Sequence, residues 1–445
     1  MTDTEAETPS LTTFRQTRLG EHRVVLASTG ANAAEPVLRA VDGRRLSSAI
    51  RQANDQRIPF VLTLRSTGVD VEDGIGAAAG WAGAARELVQ ASGVVPTVAI
   101  VSGPVVSGPA LLLGLFDIVI LTNDSYVYVN GPRNVETYTG VPISGIELGG
   151  ASTHLRSTGL ASMLVDDVDE ALAITEDILA HLPGSVDHLP QVMETSDPDD
   201  RPCSGLGALL PTTPAGSYDV RDVIAEVVDD GHFLELRAGW SPNLVTGFAA
   251  LGGIPVGIVA NQTQSLAGSI DIPAAQKGGR FVAMCDAFNV PLITMVDTSG
   301  FLPGKDLEWR GMIRHGAQMA FAYARATVPR IGLILRKSYG GAYIVMDSVK
   351  MGNDLMLAWP SAEVAVMGAK GAVEILHRTS SPEERATLEA GYEAQYLTPY
   401  PAAERSSITG VIDPSDTRRE LVAGLRMLSS KRERLPGRRH DNSPL

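Results

Sequence analysis

The two halves of this chain carry the same glycine, proline and valine landmarks at a nearly constant separation. The separation is 232 residues at the first landmarks, 233 at the next and 237 at the last. The matched residues are Gly20 with Gly252, Val24 with Val256, Pro59 with Pro291, Gly68 with Gly300, Val95 with Val328, Pro96 with Pro329, Gly108 with Gly341, and Gly131 with Gly368. Self-similarity of this kind predicts two copies of one domain, related by internal duplication.

Short apolar runs between glycines and prolines indicate an α/β pattern in both halves. Most of these runs are rich in β-branched residues, as is typical of strands that are covered on both faces. They occupy residues 61–64, 98–101, 118–121, 293–296, 331–335 and 364–367. Residues 310–325 have the length and composition of a helix. We therefore predict an α/β fold in which strands lead into helices.

A polar segment separates the two halves. Residues 194–202 (ETSDPDDRP) combine acidic residues and prolines and have no apolar periodicity. These features are typical of a linker or a long surface loop. We place the domain boundary shortly after this segment, which predicts an N-terminal domain over residues 1–215 and a C-terminal domain over residues 216–445.

The charge balance excludes two classes of partner. The chain has 37 Lys and Arg residues against 51 Asp and Glu residues, a net charge of -14. This excess of negative charge opposes non-specific attraction to nucleic acid or to anionic lipid. No uncharged apolar run reaches the ~18 residues that a membrane span requires. We expect neither nucleic acid nor a membrane as a partner.

Cysteine usage and the N-terminus bear on the compartment. Cys203 and Cys285 lie far apart, so the chain has no Cys-x-x-Cys motif for a metal or a redox couple. Residues 1–10 are acidic and Thr-rich without an apolar segment, unlike a secretory signal or a basic transit peptide. These features predict a reducing compartment, and we expect the cytoplasm.

In each half, an apolar strand after a Val-Pro dipeptide leads through a turn of small residues into a helix. The turn contains Ser107 and Gly108 in the first half, and Gly340, Gly341 and Ala342 in the second. Unpaired N–H groups at the start of a helix favour negative charge, and small residues let an oxygen atom approach them closely. Both turns are therefore candidate oxyanion holes. The alternative is a tight strand-to-helix turn without a chemical role.

Motifs from about Leu19 onward are similar to those of one enzyme family. The second half contains DTSGFLPG (297–304), IRHGA (313–317), ATVPR (326–330), RKSYGGAY (336–343) and AWPSAEVAVMGAKGAVEI (358–375). The first half contains ASGVVP (91–96), DSYVYVNGP (124–132) and ELGGASTH (147–154). In these motifs the chain resembles the carboxyltransferase β subunits of biotin-dependent acyl-CoA carboxylases, of the propionyl-CoA carboxylase type.

The resemblance implies two tandem crotonase-like domains and a carboxyl transfer. An acyl-CoA thioester would bind on the N-domain side, and carboxybiotin, carried by a biotin carboxylase or biotin carboxyl carrier subunit, on the C-domain side. In the family, each active site lies where the N-domain of one subunit meets the C-domain of another. A homo- or hetero-hexamer of β-type subunits is expected, and no metal ion is expected in this subunit.

The resemblance also implies roles for individual residues. The N–H groups of Gly341 and Ala342 would bind the ureido oxygen of biotin, and Ser107 and Gly108 would stabilise the thioester enolate. Arg45, on a predicted helix, could meet the phosphates of CoA, although a solvated helix face explains it equally well. The other candidate binding residues are Gly68, Gly103, Gly300, Phe301, Gly340, Tyr343 and Ile344.

The first half departs from the family pattern. Residues 65–70 read RSTGVD where the family has DSGGAR, which inverts the charge at both ends. Residues 103–110 read GPVVSGPA where the family has GPCAGGA, so Ser107 replaces a glycine and Pro109 removes an N–H donor. Residues 30–36 (GANAAEP) replace a glycine-rich loop. These changes favour an unusual substrate or a mixed oligomer with a sibling subunit.

The acyl group and the reaction itself both leave alternatives open. Ile344 stands where propionyl-selective relatives tend to carry Asp, which suggests a differently shaped acyl pocket; a buried helix start is the alternative, and the acyl length stays open. The chain could also be an acyl-CoA decarboxylase, with or without biotin, or a non-catalytic subunit that completes a sibling's site in a mixed carboxylase complex.

Overall fold

The computed structural model describes residues 10–31, 33–211, 213, 216–431 and 433–444. Residues 1–9, which contributed to the expected localisation, lie outside this part. The chain divides into two compact units, Met1–Pro190 and Gln191–Leu445. None of the helices in the described ranges has the length and apolar character that crossing a bilayer requires.

The first unit is built on a mixed β-sheet. Its central order is β1-β2-β4-β6-β7-β9, β8 also pairs with β6, and β3 and β5 form a separate pair. The strands are β1 Thr12–Leu19, β2 His22–Thr29, β3 Val37–Leu38, β4 Phe60–Ser66, β5 Gly68–Val69, β6 Thr97–Val106, β7 Ile118–Thr122, β8 Tyr126–Tyr128 and β9 Met163–Val165. The helices are α1 Ala40–Gln56, α2 Ile75–Ala91, α3 Gly108–Leu112, α4 Pro132–Thr139, α5 Gly145–Gly149, α6 Ala151–Thr153 and α7 Val168–Ala180.

The second unit has a sheet of the same design with one additional strand at its edge. Its order is β10-β11-β12-β13-β14-β15-β17, and β16 also pairs with β14. The strands are β10 Phe233–Leu236, β11 Leu244–Leu251, β12 Ile254–Asn261, β13 Leu292–Thr298, β14 Arg330–Tyr339, β15 Leu355–Ala358, β16 Glu363–Ala365 and β17 Gly410–Val411. The helices are α8 Leu206–Leu209, α9 Val220–Val227, α10 Ile272–Ala287, α11 Lys305–Trp309, α12 Met312–Arg325, α13 Gly340–Val345, α14 Ala369–Leu376, α15 Pro382–Tyr396, α16 Pro399–Glu404 and α17 Thr417–Leu428.

Strand pairing repeats between the two units. In each sheet an antiparallel hairpin, β1–β2 or β11–β12, leads into parallel strands, and in the second sheet β10 also pairs with β11 in antiparallel orientation. Ser66 of β4 pairs with Val105 of β6 after a register shift, and Thr298 of β13 pairs with Ser338 of β14 after a shift at the same place. Ser66 and Thr298 are 232 positions apart, and Val105 and Ser338 are 233 positions apart, which are the separations of the glycine and proline landmarks. The predicted duplication is therefore present in the backbone.

Hydrophobic burial explains why the central strands form. Every residue of β7 and of β13 is buried, as expected for strands covered on both faces. The predicted strands fall within β4, β6, β7, β13 and β14, but the one at 364–367 ends at Ala365. The predicted helix at 310–325 begins at Met312, because Gly311 precedes it with a φ of 94°.

Helices cover each sheet and complete separate cores. In the first unit α1 packs against α2 so closely that a Cβ on Gly43 would lie 2.3 Å from the carbonyl carbon of Gly80. Leu62, Ala99 and Leu121 belong to this core. In the second unit α10 packs against α12. Glycine at position 43 is required because a side chain would separate the two helices.

The polar segment after the first unit belongs to the second. The predicted N-terminal domain extends to residue 215, but the second unit begins at Gln191, and Cys203 and Leu206 lie in its core. The buried guanidinium of Arg418 donates to the carbonyl of Pro198 at 2.8 Å and to Asp229 Oδ1 at 2.6 Å. The described part of residues 191–215 contains little helix or strand, but its carbonyl groups and apolar side chains pack and hydrogen-bond with the second unit.

Candidate functional site

The turn of the second unit joins β14 to α13 without an intervening residue. Gly340 has a φ of 54°, and a Cβ there would lie 3.0 Å from the carbonyl oxygen of Val366. Gly341 is exposed and the side chain of Ala342 is buried. The N–H groups of the first turn of a helix have no intrahelical acceptor. Gly341 and Ala342 therefore offer two neighbouring backbone donors at the end of the strand.

A second loop of this unit lies beside the same turn. Gly300 has a φ of 138°, and its carbonyl accepts a 3.0 Å hydrogen bond from the N–H of Ile270. The ring of Phe301 comes within 3.2 Å of the position that a Cβ of Gly341 would occupy. Three candidate residues of the second unit, Gly300, Phe301 and Gly341, therefore lie next to one another.

The two residues after Ala342 differ in their surroundings. The hydroxyl of Tyr343 is buried and has no hydrogen-bond partner among the described residues. Ile344 is 48% exposed. Burial in the core of this unit therefore does not explain why residue 344 is apolar.

Behind the turn, Asp297 forms a closed polar cluster. Its Oδ2 accepts hydrogen bonds from the Tyr218 hydroxyl at 2.9 Å and from Arg336 Nε at 3.0 Å, and its Oδ1 accepts from the Lys337 N–H at 3.2 Å. Burial raises the pKa of the Asp297 carboxyl, and Arg336 opposes that shift. Burial also raises the pKa of Tyr218. The cluster holds the ends of β13 and β14 in place.

Sequence reasoning missed this cluster as a unit. Asp297 and Arg336 lie within motifs that were recognised, but no spacing rule joins them. Tyr218 belongs to no recognised motif. Asp297 and Arg336 lie near the carboxyl ends of two neighbouring parallel strands, and this shared position is the signal that could have paired them.

A buried lysine supports another turn of the second unit. Lys277, on α10, is 2% exposed, and its Nζ donates to the carbonyls of Arg237 at 2.9 Å and Trp240 at 3.0 Å. Burial lowers the pKa of Lys277 to about 7. Arg237 and Ser241 both have positive φ, 56° and 50°. Lys277 therefore holds a strained turn that precedes β11.

The corresponding turn of the first unit has fewer backbone donors. The N–H of Ser107 donates to the carbonyl of Tyr128 at 3.0 Å, continuing the pairing of β6 with β8. Pro109, the counterpart of Ala342, has no N–H. The N–H of Ser107 is therefore already used by the sheet, and the role of Ser107 and Gly108 at the thioester enolate stays a prediction. Of Ser107 and Gly108, only Gly108 has a backbone N–H that the sheet does not use.

Ser107 has a second group to offer. Its φ is 67° and its ψ is -141°, a conformation that side chains rarely adopt. Its hydroxyl does not cap α3 and has no hydrogen-bond partner among the residues that the structure describes. The turn therefore presents one N–H and one free hydroxyl.

The two candidate binding glycines of the first unit lie at the same end of the sheet. Gly68 has a φ of 128°, and a Cβ there would lie 3.7 Å from Cγ2 of Val106. Gly103 has a φ of 76°, and a Cβ there would lie 3.2 Å from Nε of Arg65. Gly68 is thereby placed beside the strand that leads to Ser107.

Arg45 lies on α1, as predicted, and is exposed. Its Nη1 donates to the carbonyl of Thr12 at 3.3 Å. In the described part of the chain, the contacts of its side chain lie with the start of β1 and not with the turn. The contact of Arg45 with a CoA phosphate stays a prediction.

Comparison with known proteins places these features in a family. The carboxyl transferase domain matches residues 8–443. The chain is 40% identical to the propionyl-CoA carboxylase beta chain of Saccharopolyspora erythraea, over 92% of this chain and 78% of that protein. It is 38% identical to the methylmalonyl-CoA decarboxylase subunit alpha of Veillonella parvula, over 89% of this chain and 77% of that protein.

Solved structures agree with these sequence relationships. The crystal structure of the hexameric transcarboxylase 12S, with methylmalonyl-coenzyme A and methylmalonic acid bound, has a TM-score of 0.95 and 37% identity. The similarity covers 98% of this chain and 85% of that one. It confirms the predicted crotonase-type α/β fold. With a domain match over nearly its whole length, this chain belongs to the carboxyl transferase domain family.

Proposed function

We propose that this chain is the carboxyltransferase subunit of a biotin-dependent acyl-CoA carboxylase. It would transfer a carboxyl group from carboxybiotin to the α-carbon of an acyl-CoA. The observation that carries the proposal is the duplicated strand–turn–helix, with backbone donors at Gly341 and Ala342 in one unit and at Gly108 in the other. A hexamer of β-type subunits and a separate biotin carboxylase or biotin carrier subunit belong to the same proposal.

Gly341 and Ala342 would hold the biotin ureido group. Their two N–H groups suit one carbonyl oxygen, and the absence of a side chain at Gly341 leaves room beside the Phe301 ring. Bound carboxybiotin supplies the carboxyl group and then the nitrogen that takes the α-proton. The donors favour carboxyl release because they stabilise the charge that develops on the ureido oxygen.

Gly108 and Ser107 would stabilise the enolate of the thioester. The Gly108 N–H provides one donor, and the Ser107 hydroxyl replaces the donor that Pro109 lacks. As negative charge moves onto the thioester oxygen, both donors bind it more strongly than they bind the ground state. The α-carbon loses a proton and gains the carboxyl group, so atoms and charge balance without an acidic or basic side chain.

The remaining candidate residues would shape and orient the substrates. Gly68, Gly103, Gly300 and Gly340 let the backbone turn beside them, because each has a positive φ. Phe301 and Tyr343 would contact the biotin side, and the exposed Ile344 would contact the acyl group. Arg45 would bind a CoA phosphate. Asp297 and Arg336 satisfy each other and stay outside the chemistry.

The reverse half-reaction tests this function without a partner subunit. Purified protein is mixed with carboxyl-labelled malonyl-CoA or methylmalonyl-CoA, and label loss is measured with and without free biotin. Biotin-stimulated loss is the expected result, and the two rates rank acyl lengths. Label loss that is indifferent to biotin would contradict the proposal.

Decarboxylation is the second candidate function. The similarity to the Veillonella parvula methylmalonyl-CoA decarboxylase subunit favours it specifically. The same assay separates the biotin-independent form of this function from carboxyl transfer, because a decarboxylase that needs no biotin loses label equally well without it. No turnover together with no CoA binding would instead indicate a non-catalytic subunit of a mixed complex.

A further inference from the structure

Equivalent positions of the two units differ in charge. Arg65 corresponds to Asp297 at a separation of 232 residues, and Gly103 corresponds to Arg336 at 233. The β4–β6 register shifts between Leu64 and Ser66, on either side of Arg65, and the β13–β14 register shifts on either side of Asp297. Arg65 and Asp297 therefore occupy the same backbone irregularity in the two sheets.

The charge at this position is satisfied in the second unit. Asp297 pairs with Arg336 and also accepts from the Tyr218 hydroxyl and the Lys337 N–H. Its carboxylate oxygens are thus occupied by donors of the protein itself. The cluster is closed, and it has no unmet demand for a ligand.

Arg65 has no such partner in the first unit. Its Nη1 donates to the carbonyl of Ala33 at 2.8 Å, and it forms no ion pair among the described residues. The side chain lies across Gly103, whose missing side chain leaves the space that Arg336 fills in the other unit. Arg65 is half-buried, so a counterion would strengthen its position.

The other inverted charge of the same segment is neutralised. Asp70 accepts from Arg39 Nε at 2.8 Å, which lowers the pKa of the Asp70 carboxyl. Of the two charges that distinguish residues 65–70, only that of Arg65 is left without an opposite charge in the described part of the chain. A guanidinium with one neutral acceptor retains N–H groups in a planar fork, which suits the paired oxygens of an oxyanion.

The position of Arg65 fits a role in substrate binding. It lies at the carboxyl end of β4, the edge at which parallel strands of α/β folds bind their ligands. Ser66, the next residue, pairs with Val105, two residues before Ser107. Arg65 thus lies at the same sheet edge as the proposed enolate site.

We propose that Arg65 binds an oxyanion of the CoA thioester, and specifically the carboxylate of a malonyl-type acyl group. This inference rests on the proposed function, since it assigns a substrate feature to the same site. The carboxylated thioester is the product of the forward reaction and the substrate of the reverse one. The carboxylate of this thioester would accept hydrogen bonds from the N–H groups of Arg65 that have no partner in the described structure. The phosphates of CoA offer the same chemistry, and the test distinguishes the two sources.

Binding measurements test the proposal without requiring turnover. Calorimetry gives the Kd of malonyl-CoA, acetyl-CoA and free coenzyme A for the full chain and for Arg65→Met. We expect Arg65→Met to weaken malonyl-CoA binding about 10- to 100-fold, the loss of one charge-assisted pair, and to leave acetyl-CoA unchanged. Arg65→Lys should recover part of the loss, because it keeps the charge and not the fork.

Other outcomes identify the source or overturn the inference. Equal weakening of all three ligands would assign Arg65 to the phosphates and overturn the carboxylate assignment. Unchanged affinities for all three would overturn an anion site altogether. Arg15→Met, which removes an exposed charge from β1, controls for net charge. A selective Arg65 effect in a protein whose decarboxylation ignores biotin would contradict the proposed function while leaving this inference in place.

Discussion

Ser107 and Gly340 lie at the same position of the two repeats, and both have a positive φ, 67° and 54°. Glycine adopts this conformation freely, whereas a serine there carries strain of about 1–3 kcal/mol. Ser107, which carries this strain, also has a hydroxyl without a hydrogen-bond partner in the described structure, and it lies close to Pro109, which lacks an N–H. We attribute the presence of serine at position 107 to that hydroxyl.

Substitution of Ser107 should separate stability from activity. Ser107→Gly relieves the positive φ, so we expect the free energy of unfolding to rise by about 1 kcal/mol. The same change removes a donor to the enolate, so kcat for decarboxylation should fall about 10- to 100-fold. Thermal unfolding and the label-loss assay measure the two effects.

A double variant supplies the control for Ser107. Ser107→Ala removes the hydroxyl and keeps the strain, so kcat should fall without a gain in stability. Adding Pro109→Ala provides a backbone N–H at the position of Ala342 and should restore part of the rate. Full activity of Ser107→Gly would show that the hydroxyl has no catalytic role.

Ala342→Pro should impair the biotin side alone. Proline is tolerated in the first turn of a helix, where its missing N–H breaks no intrahelical bond. The change removes one of two donors, so biotin-stimulated label loss should fall about 100-fold while the Kd of CoA stays the same. Ala342→Ser keeps the N–H and serves as the control. Equal weakening of CoA binding would contradict the division of roles between the two turns.

Lys277 should make the stability of the fold depend on pH. Its pKa is lowered to about 7 by burial, so between pH 7 and about 10 the unfolded chain binds more protons than the folded chain. Stability from this group is therefore lowest below pH 7 and rises with pH, by about 2–3 kcal/mol between pH 7 and 9.

A matched variant isolates the contribution of Lys277. Lys277→Met leaves the carbonyls of Arg237 and Trp240 without their donor, which costs stability at every pH. It also removes the titrating group, so its unfolding midpoint should rise less between pH 7 and 9 than that of the unmodified chain. Parallel midpoints in urea across this range would disprove the prediction.

The buried ion pair between Arg330 and Asp347 should be sensitive to loss of one partner. Arg330 Nη1 lies 2.5 Å from Asp347 Oδ1, and both side chains are at most 1% exposed. Asp347→Asn leaves the guanidinium uncompensated, which should cost about 3–5 kcal/mol. Because Asp347 closely follows α13, catalytic rate should fall as well.

A double-variant cycle measures this pair directly. Arg330→Met alone leaves the Asp347 carboxylate buried without its cation, and Arg330→Met with Asp347→Asn removes both charges. Since a buried charge is most costly when single, the double variant should be more stable than either single one. Additive losses in chemical unfolding would mean that the two charges do not stabilise each other.

The amino-acid sequence by itself determined the repeat and the order of its parts. Landmark separations predicted two α/β domains, and the apolar runs located five of the six expected strands within their observed bounds. These features are local, because a buried strand needs a short apolar run and a tight turn needs small residues. The position of the Gly341 turn follows from the same reasoning.

Only the tertiary structure decided which polar groups are used and which are free. The Ser107 N–H is occupied because β8 pairs with β6, and Asp297 is satisfied by Tyr218, a residue 79 positions away. Arg65 lacks a counterion because its neighbour on the adjacent strand is Gly103. Hydrogen-bond partners depend on how distant strands align, and residue spacing along one strand does not specify that alignment.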